Sequence, residues 1–177
     1  AKRQLLQVAK LYRDEARDLV KAVEYFGRAT AVLHSADDAP VFEELAALHL
    51  ELKVPAFAAG ALREAARLYD LAGRSAAAIQ CARQALELSE GLQRIEDEAL
   101  LGTLLTRSGK AAEGAAHLRE ALAAAEANPE VTSERRLELC AALLEADPTD
   151  LKNAEQYLHL LPDNELPTGA VALARRF

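Results

Sequence analysis

Two stretches of this chain align residue for residue at a spacing of 36. They are "YDLAGRSAAAIQCARQAL" (69–86) and "LTRSGKAAEGAAHLREAL" (105–122). Tyr69 answers to Leu105, Gly73 to Gly109, Ala78 to Gly114, Ala82 to Leu118 and Ala85 to Ala121. A fixed interval of this length means one supersecondary unit used more than once, each copy burying its apolar face against the next. The glycine placed after a helical run supplies the left-handed backbone that reverses the chain. The small residues behind it, spaced four and three apart, form one stripe of a helix. They let two helices approach closely, and Tyr69 fills the gap beside them. None of these residues needs a substrate to explain it.

Composition decides which element is repeated. The chain has 39 Ala and 31 Leu but only 16 Val, Ile and Thr together. It is therefore rich in helix formers and poor in strand formers. Helices are expected near 3–15, 18–35, 39–52, 55–72, 74–90, 92–108, 110–127, 132–146, 149–161 and 165–176. Pro and capping residues break them at "SADDAP" (35–40), "ANPEVTSE" (127–134) and "ADPTDL" (146–151), with "LPDNELP" (161–167) a less clean break. Pro55 suits the first turn of a helix. Linkers this short join antiparallel neighbours. No apolar run approaches 18 residues, so no membrane-spanning helix is expected.

The same frame fits two further stretches. Leu5, Val8, Ala9 and Tyr12 lead to Ala22, Phe26 and Ala29, with one extra residue in the turn. Phe42, Leu45, Ala46 and His49 lead to Ala58, Leu62 and Ala65. The frames begin near 2, 39, 59 and 95, so one step spans a single helix rather than two. Helix 55–72 then reads both as the second helix of one repeat and as the first of the next. A local departure from regular pairing is expected around 39–72.

Taken together these residues resemble the tetratricopeptide repeat (TPR), whose pattern runs from an aromatic through Leu-Gly and Tyr to Ala, Phe, Ala and a later Pro. The resemblance covers 1–128 well and 132–161 in degenerate form. There Ala154 and Leu158 fit, but "DPTD" replaces the turn glycine. Trp is missing, and Leu101-Gly102 is the one intact Leu-Gly pair in the frame. The resemblance implies an all-α fold, a right-handed α-α superhelix: a solenoid of antiparallel helix hairpins, about ten helices in one domain over 1–177. The final "GAVALARRF" (169–177) would cap the stack or open a further repeat. The start, "AKRQLL", lacks Met and is already in helical rhythm, as in a segment of a longer protein.

The net charge of −7, with basic residues scattered among acidic ones, leaves no basic stripe for nucleic acid. Cys81 and Cys140 fall on apolar helical faces and read as buried thiols in a reducing, cytoplasmic setting. His34, His49, His117 and His159 include no helical metal pair and have no cysteine beside them, so no metal site is expected. The pairs Glu43-Glu44 and Asp37-Asp38 read as solvated faces or caps. No phosphate loop or nucleophile elbow occurs, no cofactor is expected, and the chain does not read as an enzyme.

The resemblance implies instead a scaffold or adaptor that binds a protein or peptide in a groove lined by the first helix of each repeat. On these frames the lining is Leu6, Lys10 and Arg13; Glu43, Ala47 and Leu50; Arg63, Arg67 and Asp70; Ala99, Thr103 and Arg107. The recurring basic residues point to an acidic or carboxylate-bearing segment, and the same positions also read as solvated faces with Glu/Arg pairing. A TPR subfamily grips a C-terminal carboxylate with Asn and Lys, but Asn128, Asn153 and Asn164 stand elsewhere. Phe42, Phe57 and Phe177 would serve an apolar groove for a partner helix. The alternatives are a ligand- or peptide-sensing regulatory domain of a larger protein, and a secretion or pilus-assembly chaperone.

Overall fold

The structure is a computed structural model and describes residues 1–32 and 35–161. Among these every regular element is helical: α1 (Lys2–Asp14), α2 (Leu19–Thr30), a 3-10 turn (Ala36–Asp38), α3 (Ala39–Glu51), α4 (Pro55–Leu71), α5 (Ser75–Leu88), α6 (Gly91–Arg107), α7 (Ala111–Ala127), α8 (Ser133–Ala146) and α9 (Leu151–Leu160). The helix expected at 165–176, and with it Asn164 and Phe177, lies outside the described residues, as does His34. The chain divides into two compact units, Ala1–Ser89 and Glu90–Phe177.

Local chemistry explains where the helices begin. Asp18, Thr132 and Asp150 each accept a hydrogen bond from the backbone N–H three residues on, at 3.1, 3.2 and 3.0 Å. Pro55 opens α4, as expected. The helix anticipated over 18–35 stops at Thr30, and Ser35 is extended and forms a capping box with Asp38 that starts the next turn. Asp38 is itself buried and takes the Lys2 ammonium, which fastens α1 to this turn.

The turns repeat one device. The backbone N–H groups of Val54, Arg74 and Lys110 donate to the carbonyls of His49, Tyr69 and Leu105, five residues back, at 2.9, 2.8 and 2.9 Å. Asp18 donates to Tyr12 at 2.9 Å across six residues, which accounts for the extra turn residue in the first frame. The left-handed position is Gly73 (φ 71) and Gly109 (φ 86) in two of these turns, but Lys53 (φ 58) in the turn after α3. An L-residue held there pays roughly 1–2 kcal/mol.

In the first unit α1 packs on α2, and α4 packs on both α3 and α5. The irregular step around 39–72 is therefore one helix serving two neighbours. Ala58, Leu62 and Ala65 are buried, as are Ala66, Ala78, Ala82 and Ala85. In the second unit α6 and α7 form a hairpin that continues through α8 to α9. Its core includes Ile95, Leu118, Leu122, Leu139, Cys140 and Leu143. Arg135 of α8 clamps Glu96 of α6 through two bonds of 3.0 and 2.6 Å. Arg136 donates to the carbonyls of Ala125 and Asn128, which terminate α7.

The α6–α7 crossing admits no side chain. A methyl group on Gly102 would lie 2.7 Å from Leu118 Cγ and 2.9 Å from the Gly114 carbonyl oxygen. One on Gly114 would lie 2.6 Å from the Gly102 carbonyl oxygen and would strike the Thr106 hydroxyl. Around Gly60 of α4, by contrast, 4 Å of space is open.

Two stability predictions follow from these positions. Gly114→Ala forces an overpacking cost of about 1–3 kcal/mol, which outweighs the ~1 kcal/mol helix-propensity gain. Gly60→Ala has the gain without the cost. Urea denaturation should show Gly114→Ala destabilised and Gly60→Ala stabilised; two changes of the same sign contradict the packing described. Lys53→Gly should raise stability by about 1 kcal/mol on relieving the left-handed strain, and thermal unfolding of that variant reads it directly.

Candidate functional site

The first unit has a groove of about 390 Å³ over α4, between α3 and α5. It is lined by Glu43, Ala46, Ala47 and Leu50, by Leu62, and by Gln84, Glu87 and Leu88. The alternation of α3 is responsible: Phe42, Leu45, Ala46 and Leu48 go into the core, while Glu43, Ala47 and Leu50 stay open.

Glu43 is the chemical centre of this groove. Its Oε2 accepts the Tyr69 hydroxyl proton, and its Oε1 lies 3.7 Å from the Cys81 thiol. Burial, together with the bond to Glu43, pushes Tyr69 up to about 12. Burial with Glu43 beside it does the same to the Cys81 thiol, also to about 12. Both groups therefore stay protonated and act as donors that fix the carboxylate. Glu43 is exposed, as expected of a solvated face, and is in addition anchored from two helices. The adjoining residue, Glu44, faces α1, where it takes Arg13 at 2.8 Å and Lys10 at 3.5 Å.

The other residues expected in a groove are placed as follows. Arg13, held by Asp14 and Glu44, keeps its guanidinium proton to well above the usual range. Leu6 of α1 is half-buried. Arg63, Arg67 and Asp70 stand on α4 but do not line this groove. Arg67 is exposed and pairs with Glu64. Thr103 turns its hydroxyl back on the Ala99 carbonyl at 2.8 Å, and Ala99 is buried. Arg107 is exposed at the end of α6, in the second unit. Of the expected lining, Glu43, Ala47 and Leu50 come together in one groove. Phe42 is core, and Phe57 is exposed and stacks on His49, centroid to centroid at 5.5 Å.

The second unit carries a cluster that sequence reasoning missed. Glu98 of α6 is only 4% exposed. Its Oε2 lies 2.6 Å from Nδ1 of His117 on α7, and its Oε1 lies 3.5 Å from Arg94. Glu120 stands one turn beyond His117. A cavity of about 370 Å³ opens beside them, lined by Gly91, Arg94, Ile95, Glu98, Glu120, Ala124 and Asn128. The available signal was His117-x-x-Glu120, an i, i+3 pair on one helix face; a search for two histidines, or for histidine with cysteine, passes over it.

Both thiols are free and buried, as expected. Among the described residues no helix is long and apolar enough to cross a membrane.

No family model matches the sequence. No curated protein matches it either. Solved structures do. Two of nearly identical TPR-like repeats from Podosopora anserina, ascribed to a kinesin light chain, are each 18% identical to it. One has a TM-score of 0.47 and covers 89% of this chain and 92% of its own. The other has a TM-score of 0.43 and covers 97% and 94%. A tetratricopeptide repeat protein from Parabacteroides merdae is 14% identical over 99% of this chain and 77% of its own, with a TM-score of 0.35. What this chain is similar to is thus a set of TPR-like helical-repeat proteins.

His49 carries a pH signature. Its Nδ1 is buried without a partner among the described residues, and burial lowers its pKa below 6.5. The unfolded chain then takes up a proton at higher pH than the folded one. His49 therefore subtracts stability as pH falls from about 7 through the unfolded value near 6.5. Urea denaturation of wild type and His49→Leu at pH 7 and pH 5 should show the variant losing less stability over that interval; equal losses contradict the buried, neutral imidazole.

Proposed function

We propose that this chain is a protein-interaction module whose first unit holds a segment of a partner protein in the α3–α4–α5 groove. The observation that carries the reading is the anchored carboxylate of Glu43, open on an otherwise largely apolar trough. Leu50, Leu62, Ala47 and Leu88 offer apolar surface there, while Glu43 and Glu87 supply negative charge. Peptide-binding grooves gain affinity from apolar burial and register from a few placed polar groups. The occupant that fits is a short segment with apolar residues beside a Lys or Arg.

This reading changes the sign of the partner's charge. The case for an acidic partner rested on Lys10, Arg13, Arg63, Arg67 and Arg107, the last of which belongs to the second unit. Lys10 and Arg13 are matched by Glu44, Arg67 is matched by Glu64, and neither Arg63 nor Arg67 lines the groove. An acidic segment would meet Glu43 and Glu87 directly, and like charges brought together cost affinity. No reaction is assigned to the chain. The two free thiols are compatible with a reducing cytoplasm.

Panning a random peptide display library against the full chain tests the reading. Peptides with apolar residues flanking a Lys or Arg should be enriched, and Glu43→Gln should weaken the selected peptides at least about tenfold, a loss of about 1.4 kcal/mol. Enrichment of acidic peptides, or equal binding to Glu43→Gln and wild type, contradicts it.

A further inference from the structure

We propose that Glu98, His117 and Glu120 of the second unit form a binding site for a first-row divalent cation, with Zn²⁺ the best-suited ion. This proposal is independent of the groove in the first unit. Each of the three residues offers one ligand atom, and these atoms all lie within 4.8 Å of one another. A tetrahedral ion with bonds of about 2.0–2.2 Å sets its ligand atoms roughly 3.3–3.6 Å apart. The donors therefore stand within about an ångström of what an ion requires. Glu120 is exposed and has no hydrogen-bond or ion-pair partner among the described residues, so its carboxylate is free to close the remaining distance.

Two further features support the assignment. Glu98 is almost completely buried yet forms part of the wall of the 370 Å³ cavity, with Glu120 across from it. That cavity gives an ion an entry path and leaves space for the water that would complete a fourth position. The neighbouring Arg94 sits 3.5 Å from Glu98 and cancels one of the two negative charges, so one net negative charge remains to attract a cation. The donor set of one imidazole nitrogen and two carboxylate oxygens selects chemically. Carboxylates alone suit Mg²⁺ and Ca²⁺, whereas an imidazole favours Zn²⁺ and its neighbours.

Nδ1 of His117 lies 2.6 Å from Oε2 of Glu98, so the ring proton stays on Nδ1 when Nε2 takes the ion, or passes to Nε2 when Nδ1 does. The ligands are then neutral imidazole and two carboxylates, with the single ring proton on the nitrogen that does not take the ion. Affinity should fall as pH falls, as for any site whose ligands compete with protons.

The test is calorimetric titration of Zn²⁺ into the full chain, with His117→Gln, Glu120→Gln and the control His159→Gln. One equivalent should bind to wild type and to His159→Gln. His117→Gln and Glu120→Gln should each raise Kd at least about tenfold. Because Glu98 is buried, its substitution could unfold the unit. Glu120 is exposed, and Glu120→Gln leaves the fold intact, as circular dichroism would verify. Co²⁺ added to the metal-free chain should give the visible absorption of a four-coordinate site, and Zn²⁺ should then displace it. No saturable binding, an affinity unchanged in His117→Gln and Glu120→Gln, or equal affinity for Mg²⁺ would each overturn the proposal.

Discussion

The second unit is organised around a point where two backbones touch. At Gly102 and Gly114 the carbonyl of each helix lies where the other's side chain would begin. Contact this close brings Cα–H groups against carbonyl oxygens, each contact worth about 0.5–1 kcal/mol. It also draws in the flanking apolar residues, so Leu118, Leu105 and Leu101 are sealed to 1% exposure or less. The positions 36 residues earlier are Ala66 and Ala78, both fully buried. Where α4 and α5 accommodate two methyl groups, α6 and α7 leave room for none.

Most of this was legible from the chain alone, because packing at a fixed interval leaves a trace in residue size. Gly73 and Gly109 marked turns that have positive φ. The extra residue after Tyr12 was visible and corresponds to a six-residue hydrogen-bonded span. The double fit of helix 55–72 was visible too, and α4 does serve two neighbours. What sequence periodicity could not provide was the early end of α2. Nor could it show that the turn that follows is held by a capping box between Ser35 and Asp38 and by Lys2, a residue far away in sequence.

The site was less legible, for a reason of long-range pairing. A helical wheel shows which face a basic residue occupies but not what stands across from it. Lys10 and Arg13 looked available until α3 placed Glu44 against them. Glu43, one residue earlier, is the solvated charge it looked like, but the wheel did not show that Tyr69 and Cys81 hold it. The Glu98–His117 contact joins residues on different helices and was hidden in the same way. In the first unit's groove the charged features are the carboxylates of Glu43 and Glu87, not guanidinium groups.

The account rests on the backbone contact between α6 and α7, and a nuclear Overhauser measurement on the ¹³C-labelled chain tests it most directly. With the two glycines this close, their α protons should show a strong cross-peak between Gly102 and Gly114, flanked by contacts from the Gly102 α protons to the Leu118 methyl groups. If the α-proton cross-peak is missing while both resonances are assigned and sharp, the helices do not meet there, and the packing described for the second unit is wrong.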